Sequence, residues 1–320
     1  MKVETGLSFT KMQDQAQYDA AVKTFFKHKE AVAPILARVV REYAGYTNKE
    51  IVSFIDADIR AEEDPVDGGL KDIVNRNTEM KSLYEKVVYY DLKFEAKNPK
   101  LSNDKILVML HIDLEFQNQN YPSGLGYPLE MRAMYYAARE LSSQLSDINR
   151  ESRYDKLEKV YSIWVCSDNI PVGSRDTITR YYIQKEDLLG TTKYDPRFDL
   201  MEVALIRRGG DNANGDVVLD YLKGVFEHDI SKVEEYLGPV DTTVKEDFSM
   251  MTGFAQALEA EAEARGEARG EERGRIEGGN HMLYKLVQDG ELSIETAARN
   301  GGVSVEEFKK NMSLCGYKLP

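Results

Sequence analysis

The sequence predicts an α/β fold, a mixed central sheet flanked by helices, followed by a helical C-terminal arm. Three observations predict it. Two runs, Val87–Ala96 and Ile106–Gln117, alternate apolar and polar residues with period two across a turn-rich break, as strands with one buried face do. Lys159–Cys166 is almost continuously apolar, the pattern of a central strand covered on both faces. Helical spacing precedes the first pair, over Tyr18–Tyr43, and separates it from the third strand, over Leu129–Ser146. That alternation is the order of a layered α/β core.

Taken in order, Met1–Gln15 is polar and reads as a loose terminus without the apolar stretch of a signal peptide. In Tyr18–Tyr43, Phe25, Phe26, Val32, Ile35, Leu36, Val39 and Val40 recur at helical spacing, and Pro34 is the expected kink or break. Asn48 is a candidate cap for a short helix, Lys49–Phe54. Asp56–Lys81, charged and poorly periodic, reads as a long surface loop.

In the first alternating run Val88, Tyr90, Leu92, Phe94 and Ala96 share a face, with Asp91, Lys93 and Glu95 opposite. In the second, Ile106, Val108, Leu110, Ile112, Leu114 and Phe116 are apolar, with His111, Asp113, Glu115 and Gln117 opposite. Asn98, Pro99, Ser102 and Asn103 in the break suit a reversal. An antiparallel hairpin then puts Asp91 on the polar face of Asp113 and Glu115. Carboxylates crowded there repel one another unless something positive lies between them. Pro128 opens the helix at Leu129–Ser146. Thr177–Gln184 and Leu200–Arg207 are further strands, and Val217–Phe226 and Ile230–Tyr236 short helices.

From Phe248 the texture changes. Gly266, Gly270, Gly274 and Gly278 recur every fourth residue in a Glu/Arg/Ala-rich run. This is either a helix admitting a partner helix closely or a charged, frayed tether. Beyond it, Ser293 and Ser304 are candidate caps of two short helices with helix-turn-helix spacing, suited to groove reading or to packing and dimerisation. The division is 1–247, 248–280 and 281–320.

The chain has 320 residues, a hydrophobic fraction of 42% and a formal net charge of −13. That charge argues against a general nucleic-acid coat protein but not against a nuclease with a local basic cleft. Cys166 and Cys315 are the only cysteines, so a disulfide framework is not expected and a reducing, cytoplasmic setting is. No apolar run reaches the ~18 residues of a membrane span. Zinc-type Cys/His spacing is absent, Trp164 and Cys166 read as core, and His111 reads as a structural hydrogen-bonding residue.

Several segments together resemble the PD-(D/E)XK nuclease superfamily, and within it the transposase branch related to the recombination-promoting nucleases (the Rpn family). They are Asn77–Glu79, Tyr90–Ala96 (Tyr-Asp-Leu-Lys-Phe-Glu-Ala), Ile112–Asn118 (Ile-Asp-Leu-Glu-Phe-Gln-Asn), Tyr127–Arg132, Tyr135–Arg139, Lys159–Cys166 and the Gly-periodic tail. The resemblance implies a restriction-endonuclease-like sheet and a DNA endonuclease linked to mobile elements or recombination, with Mg2+ (or Mn2+) as cofactor. It implies Asp91 and Glu115 as metal-ligating carboxylates, the Phe116 backbone carbonyl as a further ligand, and Glu42 as the nearest match to an N-terminal acidic ligand. Gln117 falls where the superfamily usually has Lys, and a neutral amide replaces a positive charge.

Arg132, Tyr136 and Arg139 share one face of the following helix. They suit a DNA phosphate, or else ion pairs and a core tyrosine. The competing functional reading is a catalytically weak or inactive nuclease-fold scaffold acting through its C-terminal arm, which is also the candidate surface for homo-oligomerisation. A membrane partner is not expected.

Overall fold

The computed structural model describes residues 16–55, 59–61, 91–103, 109–117, 125–148, 153–167, 169–192, 197–210, 212 and 215–319. Within strand 109–117, side chains are described for Glu115 and Phe116 alone. The parts of the two alternating runs before Asp91 and at Ile106–Val108 lie outside these residues, as do Asn77–Glu79 and most of Asp56–Lys81. The fold is mixed α/β.

The first helical segment divides at 26–28, not at Pro34. Helix α1 covers residues 16–25 and α2 covers Lys29–Val39, with Pro34 buried inside α2. The break is closed by short-range bonds: the Lys27 amide donates to the Thr24 carbonyl and the His28 amide to that of Phe25. The His28 ring then meets Asp247 at 2.7 Å, which fixes the corner. Pro34 forgoes one backbone donor, while Ala31, Val32, Ala33, Ile35, Leu36 and Val39 are buried around it. Helix α3, Asn48–Phe54, starts one residue earlier than the sequence suggested. Thr47 is its cap, in a reciprocal box with Glu50.

Six strands form one sheet, β1 (Arg60–Ala61), β2 (Leu92–Lys97), β3 (Met109–Gln117), β4 (Lys159–Cys166), β5 (Thr177–Tyr182) and β6 (Met201–Arg207), in the order β1-β2-β3-β4-β6-β5. Strand β1 falls within the stretch read as loop. β2 and β3 are antiparallel, pairing Leu92 with Leu114 and Lys97 with Met109, as the alternating pattern predicted. The Asn98 side chain accepts from the Lys100 and Leu101 amides as the chain leaves β2. β3, β4 and β6 run parallel, while β5 returns antiparallel on the edge. All eight residues of β4 are buried, which accounts for its continuous apolar pattern.

Helix α4 (Leu129–Ile148) crosses between β3 and β4 and covers one sheet face. Leu129, Ala133, Tyr136 and Ala137 pack there with Val160, Trp164, Val203 and Leu205. Lys93 to Glu140 at 2.9 Å and Arg207 to Glu130 at 2.6 Å tie α4 to β2 and β6. On the other face the Phe26 ring lies 4.8 Å from that of Phe116. Helix α5 (Val217–Phe226), capped by Asp216, is anchored there by the Tyr221 hydroxyl, which donates to the Ala31 carbonyl at 2.7 Å. Helix α6 (Ile230–Leu237) follows, capped by Asp229.

The chain divides into two compact units at Gly253/Phe254. Helix α7 runs from Thr242 to Gln288, and α8 (Ile294–Asn300) and α9 (Val305–Leu314) are capped by Ser293 and Ser304. In the C-terminal unit Tyr284, Val287, Ala297, Ala298, Phe308 and Met312 make a core of their own. Among the described residues, no helix is long and apolar enough to cross a membrane.

Candidate functional site

Continuing the β2–β3 register by one residue places Asp91 opposite Glu115. The two carboxylates interlock with each other's backbone. The Asp91 amide donates to Glu115 Oε1 at 3.0 Å, and the Phe116 amide donates to Asp91 Oδ2 at 2.9 Å. Glu115 is only 3% exposed. Two acidic residues, one just before β2 and one in β3, thus stand side by side at the C-terminal end of β3, beside the end of parallel β4. Such ends are where open α/β sheets place ligands.

Positive charge arrives from both layers. On one side Lys23 of α1 brings its Nζ to 2.9 Å from Asp91 Oδ1. On the other, Arg132 of α4 feels the charge of Glu115. Its Nε and one terminal nitrogen donate to the Tyr136 hydroxyl at 3.1 and 2.7 Å, and its guanidinium lies 5.2 Å from the Trp164 ring centroid. Burial opposes the Arg132 charge, but the Tyr136 hydrogen bond and the fields of Tyr136, Glu115 and Tyr127 outweigh it, so its pKa is raised.

A cavity of about 80 Å³ opens beside Asp91, lined among others by Asp19, Val22, Lys23, Phe116 and Ser167. Asp19 and Lys23 were not singled out in the sequence. The available signal was their i, i+4 spacing on the helix that carries Phe26 to the sheet.

Other expectations change. Glu42 does not join Asp91 and Glu115. It accepts from Lys159 Nζ at 3.2 Å and from the Tyr161 hydroxyl at 2.5 Å. Glu115 pairs with Trp164 in the register, so these partners lie three to five residues back along β4, about 10–17 Å at strand rise. There Glu42 belongs to a separate charge cluster. Lys159 also meets Asp199 and Glu202, and Arg41 and Arg180 meet Glu202. Local sequence gave no sign of this, because the cluster joins four distant segments.

Tyr136 is 3% exposed and packs 5.3 Å from Trp164, so it supports Arg132 instead of facing a nucleic acid. Arg139 lies one turn further along α4 and is half-buried. Gln117 stands opposite Cys166 in the backbone register, and its side chain, with those of His111 and Asp113, lies outside the described residues. Cys166 is fully buried, and that burial pushes its thiol up to about 12, which leaves it unreactive.

Among the described residues, no three His, Cys, Asp or Glu side chains gather to hold a metal ion. The donor chemistry nevertheless suits Mg2+ or Mn2+. Two adjoining carboxylates offer hard oxygens, and Mg2+ commonly takes one or two carboxylates and keeps several waters. No family model, curated protein or solved structure matches the chain.

Proposed function

We propose that the chain is a metal-dependent DNA endonuclease of the PD-(D/E)XK type, associated with mobile elements or recombination. The observation that carries this reading is the interlocked pair Asp91 and Glu115 at the end of the central sheet. In this role the two carboxylates hold Mg2+ or Mn2+, with the Phe116 carbonyl as a further oxygen. When bound, the ion supplies a water of lowered pKa and neutralises charge on the phosphate oxygens. The backbone amides of Asp91 and Phe116 hold the two carboxylates in place before any ligand arrives. Arg132, braced by Tyr136 and Trp164, provides a fixed cation for a DNA phosphate, and Arg139 extends the same helix face. Gln117 takes the water-orienting position by its place two residues after Glu115, a role resting on sequence position alone.

Asp91→Ala and Glu115→Ala are each expected to lower Mg2+-dependent plasmid nicking by at least about a hundredfold, in the range seen when a key electrostatic group is removed. Far-ultraviolet circular dichroism should stay that of the wild type. Wild-type nicking by both folded variants would exclude the proposal.

The second reading, a nuclease-fold scaffold without catalysis, is favoured by the ion pair that already occupies Asp91 and by the separate core of the C-terminal unit. It requires that the wild type bind neither Mg2+ nor Mn2+ and that self-association depend on residues 254–320.

A further inference from the structure

Asp91 is engaged on both oxygens. Oδ2 accepts the Phe116 amide, and Oδ1 faces Lys23 Nζ at 2.9 Å. Lys23 and Asp91 are 15% and 19% exposed at the side chain, so water screens this pair only in part. An ammonium and a divalent ion compete for one carboxylate oxygen. Both are cations, and their repulsion grows as the local dielectric falls. The ion therefore binds Asp91 more tightly once Lys23 withdraws.

The geometry provides for that withdrawal. Lysine is a compact charge on a flexible four-carbon stem. Asp19 stands one helical turn before Lys23, and both line the cavity that Asp91 borders. A carboxylate at i−4 is within reach of a lysine on the same helix face.

We propose that Lys23 holds the place of the metal ion on Asp91, yields it when the ion binds, and moves to Asp19 within the cavity. The ammonium then offsets the charge of Asp91 in the empty site and sets the metal concentration at which the site loads. This inference rests on the metal-centre reading above.

The test is calorimetric titration of the full chain with Mn2+. Lys23→Gln removes the competing charge and should bind Mn2+ at least about tenfold more tightly than the wild type, whereas Lys23→Arg keeps the charge and should stay within about threefold of it. Should the glutamine variant not fold, Lys23→Met, which keeps the stem, is read in its place. Equal or weaker Mn2+ binding by the folded, uncharged variant overturns the exchange while leaving the metal centre standing. Absence of Mn2+ binding in the wild type and in every variant overturns both.

Discussion

Four weak acids, Tyr43, Tyr161, Cys166 and Tyr221, are each fully buried. Burial is the main cause that raises all four, with the Glu42 carboxylate adding to it at Tyr43 and Tyr161. Their ordinary values are 9.0 for the thiol and 10.0 for the phenols. Raised folded values mean that the unfolded chain loses these protons first. The stability they contribute is therefore complete below about pH 9 and lost as pH climbs through the range above it. Urea midpoints measured from pH 7.5 to 11 should hold to about pH 9 and then fall. A midpoint flat to pH 11 would contradict this. At the same scale, the polar face shared by Asp91, Asp113 and Glu115 was legible because period-two alternation across a hairpin fixes which residues share a face, while the register that sets Asp91 against Glu115 came from the structure. Lys23 was not, because its partner is 68 positions away and nothing local marks the pair.

The strands β2, β3 and β4 carried their own signature more plainly than the first helix boundaries did, while the two-residue β1 carried none. β4 was recognisable because burial on both faces leaves it mostly apolar, with Lys159 and Ser162 its exceptions. The break between α1 and α2 was not, since the residues that turn there, Phe26–His28, include no Gly or Pro to mark it, and the partner of His28 lies far along the chain. Along α7 the glycine row has a definite physical cost. A Cβ added at Gly266, Gly270, Gly274 or Gly278 meets nothing within 4 Å among the described residues. Gly270→Ala should therefore stabilise the helix by about 0.5–1 kcal/mol, read as a higher melting midpoint in the circular dichroism of α7. A lower midpoint, accompanied by loss of an oligomer in analytical ultracentrifugation, would mark the row as a helix–helix contact.

For the whole molecule, the chain builds two units, each with its own core. Phe308 is 1% exposed in the C-terminal one, so Phe308→Ala should cost that unit about 3–5 kcal/mol. Hydrogen exchange would then show lost amide protection over residues 284–314 with β3 and β4 unchanged. Lost protection in both places would mean that the units unfold together. By itself the sequence determined the α/β class, the paired strands, the buried central strand and the acidic face that carries Asp91 and Glu115. Each of these follows from local periodicity and burial, while the choice of 91 and 115 within that face came from the family resemblance. Only the tertiary structure decided that Glu42 serves another charge cluster, that Tyr136 braces Arg132 from within the core, and that Lys23 sits on Asp91. Those assignments depend on which distant segments the sheet brings side by side, and side-chain charge finds its partner in space, not along the chain.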